Sequence, residues 1–469
     1  MLSLAILVLF QPPAVAVQPA AAQPPVDWKA AEAPYLTDHV QLTFRDRFTR
    51  AGEAYFSPND GWIIFQAIEA PQPGKQPDPF YAMFVARLVR DQRGRLSGIE
   101  EPIRVSAPGT ANTCGWFDPS RPGMVLFGST ISPPAEQQKS GFQVGTRRYV
   151  WMFPSEMEVS ERAVVPMLGL PVEGGTATTT GQAMGVLREQ IAQLRARIDK
   201  ASAIPGGINP ASPGLNVQLE MLNLDLKQLE ELSAREHEAV PVFKRPNYDA
   251  ECSYSADGRF ILYAHIEDAK EGEKPDANIY IYDTQTKQDR AIVVAPGYDG
   301  GPFFSPDGKR ICYRSDRKGN DQLQLFVADL RFDGDVPVGI TREYQVTDNE
   351  HVNWAPYFSP DGSYLVYGSS EAGHDNYEIF AVALDPARLA AAATKADGKT
   401  AVVADLPRVR VTHAPGADVL PVFTHDGSVM MWTSQRGPGA EGEEKPSSQL
   451  WIATVKGRPF APPAPQAAE

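Results

Sequence analysis

Histidine is scarce in this chain and never paired. Its seven copies form no His-x-x-x-His and no His-x-x-Glu-His, so a local zinc-ligand pattern is missing. Cysteine is rarer still: Cys114, Cys252 and Cys312. An odd number leaves at least one thiol unpaired. No Gly-x-Ser-x-Gly occurs, which removes the nucleophile elbow of a serine hydrolase, and no Gly-x-x-x-x-Gly-Lys cradles a phosphate. Positive charge is short as well. Lys and Arg number 44 against 58 Asp and Glu, a formal net charge of -14, and no basic cluster stands out. A nucleic-acid partner, whose phosphates demand clustered Lys and Arg, is excluded on that ground. The apolar run at residues 1–10 is too short to span a bilayer. A Pro/Ala-rich stretch and Ala20-Ala21-Ala22 follow it, which fits a signal peptide over residues 1–22.

What the chain has instead is a repeat. Phe304-Ser305-Pro306-Asp307-Gly308 recurs as Phe358-Ser359-Pro360-Asp361-Gly362, as Tyr254-Ser255-Ala256-Asp257-Gly258 and as Phe423-Thr424-His425-Asp426-Gly427. Each copy sits between two short apolar runs, the pattern of a hairpin. Pro presets φ for the first central position of a type I turn, Asp tolerates the second, and Gly takes the left-handed position. The Asp of these turns therefore reads as a turn residue. A third apolar run follows each copy, at 278–282, 324–328, 378–382 and 449–453, and a fourth precedes the next copy, at 291–294, 344–347 and 408–412. Two degenerate copies lie upstream, at 54–60 and 114–119, with third strands near 81–85 and 149–153. Six units of four strands predict an all-β fold, a six-bladed β-propeller of four-stranded blades over residues 39–456. The last unit lacks an outer strand of its own. Residues 39–45 resemble one, so the ring is expected to close by pairing them with 449–454, which removes an open sheet edge.

The pattern stops between 153 and 242. Met184, Leu187, Ile191, Leu194 and Ile198 follow three-four spacing, and so do Leu215, Leu219, Leu222, Leu226 and Leu229. The link between them is rich in Gly and Pro. An antiparallel coiled-coil hairpin over 175–238 is expected, inserted before an outer strand at 242–244 of blade two. The Pro/Ala-rich segments 23–38 and 457–469 read as a disordered linker and tail. Residues 389–400 read as a loop or short exposed helix between two strands of blade five.

The repeat core, with a following strand of the Ile-Tyr-Val-Ala kind, resembles the TolB-like, WD-like propeller repeat of bacterial envelope proteins. Gly297-Tyr298-Asp299-Gly300-Gly301-Pro302-Phe303-Phe304 and Asn353-Trp354-Ala355-Pro356-Tyr357-Phe358 carry the likeness best. The resemblance covers roughly 39–456. It implies a partner that is a periplasmic or membrane-associated protein or peptide, on a chain that does not span the membrane. It says little about activity, because such propellers serve many functions.

Candidate site residues come from the repeat register. The first strand of each blade lines the channel. Just before the aromatic core of each first strand stand Asn112, Asp249, Asp299, Asn353 and Asp418. They are expected to ring one mouth. Two residues further come Glu53, Cys114, Glu251, Gly301, Ala355 and Leu420. Carboxylates at Asp249, Asp299 and Asp418 are of the kind that binds Ca²⁺, or a cationic peptide end. The plainer role of such Asp and Asn is to cap the turn into the strand. Cys114 and Cys252 are offset by one residue in register, face opposite ways and read as core or channel-lining thiols. The sequence thus points to a non-catalytic, exported propeller that binds protein or peptide in the cell envelope, with no resident cofactor other than that Ca²⁺. The rival is an enzyme at the channel mouth, a lyase or hydrolase acting on an oligosaccharide or peptide.

Overall fold

A computed structural model describes residues 27–135, 141–143, 148–150, 154–172, 175–202, 213–267, 276–403, 405–439 and 445–460. The signal-peptide reading of 1–22 and the tail beyond 460 lie outside these.

Six antiparallel sheets form the blades of a propeller. Each begins with an inner strand: Phe48–Phe56, Asn112–Phe117, Asp249–Tyr254, Asp299–Phe304, Asn353–Phe358 and Asp418–Phe423. Each inner strand turns into a second, as Arg310–Ser315 follows Asp299–Phe304. The turn chemistry is that of the repeat. Gly308 and Gly362 have φ of 69° and 68°. The Ser305 hydroxyl donates to Asp307 at 2.5 Å and accepts from the Arg310 N–H at 2.9 Å. The second strands Met124–Ser129 and Tyr364–Ser369 are buried along their whole length. Neighbouring blades cover both of their faces, so these strands read as continuous apolar runs rather than alternating ones.

Blade six closes the ring. Leu36–Gln41 is its outer strand and pairs with Gln449–Val455, with Val40 opposite Ile452. The segment before it is ordered, contrary to the expected linker. Asp27 caps a short helix α1 (Trp28–Glu32), whose Glu32 is fully buried. Glu32 accepts from Arg436 at 2.9 and 3.1 Å, from the His413 N–H at 2.8 Å, and bonds His39 at 2.8 Å. A Pro/Ala-rich composition hid one buried acid with three partner residues. At the other end Arg458 pairs with Asp361 at 2.7 Å and the Phe460 ring lies 5.9 Å from Tyr364, so the tail begins later than 457.

Blade two departs most from expectation. Its third strand is Glu158–Ala163, paired with Met124–Ser129. The described part of the expected strand near 149–153 belongs instead to a separate small hairpin, where Arg148–Val150 pairs with Gly141–Gln143. Composition favoured the aromatic segment, whereas the strand that pairs is the largely polar Glu-Val-Ser-Glu-Arg-Ala. The outer strand is Val240–Pro241, followed by a bond from the Val242 N–H to the Val159 carbonyl. Between third and outer strands stand helices α2 (Thr180–Ser202) and α3 (Pro213–Ser233). The start of α2 meets the end of α3: Ala183, Leu187, Leu229 and Leu232 are buried together against Met124, Ala163 and Val165 of the blade edge. The helices are thus antiparallel and rooted on the rim.

Blade five contributes to blade four. After α4 (Pro386–Ala391), strand Thr400–Val402 leaves its own blade and pairs in parallel with Val336–Gln345. The Ala/Lys-rich segment is therefore a helix followed by a strap between blades.

Candidate functional site

The five mouth positions occupy one register. Asn112, Asp249, Asp299, Asn353 and Asp418 each stand opposite the end of their second strand, facing Ser129, His265, Ser315, Ser369 and Ser434. Their side chains are already engaged, and two of them tie blades together: Asn112 Nδ2 donates to the Tyr81 carbonyl of blade one at 2.9 Å, and Asn353 Nδ2 to Gln324 of blade four at 3.2 Å. Asn112 accepts from Ser129 Oγ at 2.7 Å, and Asn353 from Ser369 Oγ at 2.9 Å. Asp249 takes Arg245 Nε at 3.1 Å and His265 Nδ1 at 2.8 Å. Asp299 takes Arg317 Nη2 at 3.0 Å, and Asp418 takes Arg436 Nη2 at 2.6 Å. All five are buried. Burial pushes the Asp299 carboxyl up to about 6, outweighing the Arg317 charge, and it raises Asp249 and Asp418 in the same way. A bare acidic mouth is therefore not what the ring presents. Among the described residues no group of three His, Cys, Asp or Glu is placed to hold a metal ion. Asp249, Asp299 and Asp418, where Ca²⁺ was expected, are each paired with an arginine of their own.

The second ring has a common backbone cause. Glu53, Cys114, Glu251, Gly301, Ala355 and Leu420 have φ between 43° and 58°. Each is the extra residue of a bulge in the inner strand, where the ladder register shifts. Left-handed backbone at a non-glycine residue is strained, yet all six blades adopt it. The bulge turns these side chains out of the sheet. At Gly301 a Cβ would lie 2.0 Å from Arg314 Nη1, so any side chain there would displace the Arg314 guanidinium.

Two carboxylates enter the channel region from this ring and are treated differently. Glu251 accepts from the Tyr298 hydroxyl at 2.6 Å, from Arg314 Nη2 at 3.1 Å and from the Gly301 N–H at 2.5 Å. Arg314 is buried, and the charge of Glu251 keeps it protonated against the pull of desolvation. Among the described residues no cation forms an ion pair with Glu53. It accepts from the Cys114 thiol at 2.8 Å and from the Tyr55 hydroxyl at 3.3 Å. Burial raises its pKa, with the nearby Glu251 charge adding to the rise. Burial and Glu53 also push the Cys114 thiol far up. A nucleophilic cysteine needs the opposite shift, so Cys114 is a donor to Glu53.

Aromatic rings from several blades meet near the axis. Trp116 lies 4.9 Å from Tyr55 and 5.6 Å from Phe303, and Phe303 lies 5.3 Å from Tyr357, centroid to centroid. Blades one, two, four and five each supply one ring.

Sequence reasoning named the two rings of positions but missed their partners Arg314, Arg317, Arg436 and Glu32. A signal was present. Where the mouth residue is Asp299 or Asp418, the second strand ends in Ser-x-Arg, at Ser315-Asp316-Arg317 and Ser434-Gln435-Arg436. Where it is Asn112 or Asn353, no Arg follows Ser129 or Ser369. The acid and its cation come as a set.

No family model matches the chain. It is similar to the Tol-Pal system protein TolB of Wolinella succinogenes, 27% identical over 187 residues, which is 39% of this chain and 36% of that protein. It is 37% identical over 110 residues to dipeptidyl-peptidase 5 of Porphyromonas gingivalis, 22% of this chain and 16% of that one. A TolB structure from Agrobacterium tumefaciens aligns over 86% of this chain and 90% of its own, at 12% identity and a TM-score of 0.41. The chain thus spans between 16% and 36% of these two curated relatives' length. The TolB-like character of the repeat, first seen in its turn residues, is met again in the Wolinella protein. No helix among the described residues is long and apolar enough to cross a membrane.

Proposed function

We infer that this protein is a non-catalytic, exported propeller scaffold that binds protein or peptide partners in the periplasm or cell envelope. One observation carries the reading: the ring acids Asp249, Asp299, Asp418 and Glu251 each contact a guanidinium. Charges matched in this way hold blades in place. They do not offer a free general base, and the thiol beside Glu53 is held protonated. The repeat resemblance to a Tol-Pal system protein supports a protein partner in the envelope.

Two measurements test this. Purified chain immobilised on beads is expected to retain a stoichiometric envelope protein from detergent-free periplasmic extract, competed by free chain. It is expected to show no turnover of peptide libraries or acidic oligosaccharides. Saturable release of unsaturated sugar or new peptide ends, lost on Glu53→Gln or Glu251→Gln, would establish the lyase or hydrolase reading instead.

A further inference from the structure

Helix α3 has two apolar faces. Leu219, Leu222, Leu226 and Leu229 turn toward α2 and the blade edge, and Leu229 is buried there. Val217, Met221 and Leu224 are 53%, 60% and 56% exposed. Positions i, i+4 and i+7 make one stripe. At about 100° per residue, that stripe lies on the side of α3 roughly opposite α2. The other large exposed apolar side chains among the described residues, Phe44, Val89, Val294 and Phe332, lie singly on separate segments. Isolated ones are ordinary on any surface, whereas a stripe on one helix calls for a partner. A shallow groove between α2 and α3, lined in part by Gln193, Arg197, Met221 and Asp225 and about 390 Å³ in volume, runs beside it.

The flanks decide what the partner is. Glu220, Asp225 and Glu231 border the stripe on α3, all exposed, with Lys227 the one cation of that helix, while Arg197 of α2 lines the groove on the Asp225 side. Over its length α3 carries four carboxylates against that one ammonium. A second copy laid stripe to stripe sets carboxylates against carboxylates, and an anionic lipid surface meets the same repulsion. A helix with Lys and Arg beside its own apolar stripe meets the predominantly acidic side chains of α3 instead. The root is fixed by Ala183, Leu187, Leu229 and Leu232, so the face is already ordered before anything binds.

We propose that the outer face of α3 docks a basic amphipathic helix of a partner protein. The proposal rests on the scaffold reading for the existence of a partner and adds where it binds and what it presents. The helix-in-groove mode uses anchors at i, i+4 and i+7 for affinity and the charged flanks for choice of partner.

The test uses the full chain and two synthetic amphipathic helices of about 20 residues, long enough to hold helical structure. Both carry the same Leu stripe; one has Lys flanks and the other Glu flanks. By fluorescence anisotropy at low salt, the Lys-flanked peptide is expected to bind saturably and the Glu-flanked one at least about tenfold more weakly. Met221→Glu with Leu224→Glu is expected to abolish binding, and Glu220→Lys with Glu231→Lys to reverse the preference. These side chains are exposed, so both variants should melt with the parent, which shows that they fold. Equal affinity for the two peptides, or binding untouched by Met221→Glu with Leu224→Glu, overturns the proposal. So do dimers of the full chain, or binding to phosphatidylglycerol vesicles, that the same variant disperses. Peptide binding without envelope-protein capture defeats the scaffold reading alone. Capture without peptide binding defeats this proposal alone.

Discussion

Tyr55 and Phe303 come from blades one and four, and their ring centroids stand 5.6 Å apart. Those blades face each other across the ring, so the contact spans the axis. Together with Trp116 and Tyr357 it makes an aromatic cluster at the centre of the propeller, in which Tyr55 is buried and the other three rings are half-buried, and Tyr55 also reaches up to Glu53.

Phe303→Ala removes a ring that three others touch. The cost is expected to be about 3 kcal/mol, from lost transfer energy and the cavity left behind. Chemical denaturation measures it. A loss below about 1 kcal/mol means the axis was open to solvent and never packed.

Glu32 locks the ring shut. It and Arg436 have fully buried side chains, and Arg436 also holds Asp418. Glu32→Ala leaves Arg436 short of one acid, at an expected cost of about 3–5 kcal/mol. Deleting residues 27–41 should abolish cooperative melting, because blade six loses its outer strand.

The same residue sets an acid limit. Burial pushes the Glu32 carboxyl up, but bonds from His39 and Arg436, the Arg436 charge and the His413 N–H together bring it below its ordinary 4.5. Its contribution to stability is complete above about pH 4.5 and is lost as the pH falls through the lower native value. Stability measured against pH should show a drop in that range that Glu32→Gln lacks.

The hairpin has a root and a tip with different worth. Leu187, 3% exposed, packs on the blade edge, whereas Met221 is 60% exposed. Leu187→Ala is expected to cost about 2–4 kcal/mol and Met221→Ala less than about 0.5. Replacing the whole insertion by a linker uncovers Met124, Ala163 and Val165. Loop length by itself is nearly free, so any loss on such replacement measures the root.

Cys114, Cys252 and Cys312 are free, buried and have raised pKa values. A thiol reagent is expected to find none of them in the native protein and all three in denaturant. Reaction of one thiol in the native state would place Cys114 in an open channel.

Millimolar Ca²⁺ is expected to leave the melting temperature unchanged, since the three mouth acids already hold Arg245, Arg317 and Arg436. A rise that Asp299→Asn abolishes would restore a cation site to the mouth.

Local rules were legible wherever one short segment decides its own shape. The Ser-Pro-Asp-Gly turns fix hairpins through contacts within five residues, such as Ser305 to Arg310. Four clear copies then imposed the ring, the register of the mouth positions and the need for a closing strand, which the structure begins at Leu36. Three-four leucine spacing revealed α2 and α3. The third strand of blade two was not legible, because residues 149–153 carry the stronger strand composition while Glu158–Ala163 is largely polar, and only its pairing with Met124–Ser129 makes it the strand.

The sequence by itself determined the blade, since a turn and its two strands are local. Tertiary structure alone decided what the ring residues do. Glu53 and Glu251 are equivalent in register, yet Arg314 from the next blade neutralises one while a thiol from another blade faces the other. Glu32 meets Arg436 across 404 residues of chain. Such contacts depend on which side chains the closed ring brings within a few ångströms, and no spacing along the chain encodes that distance.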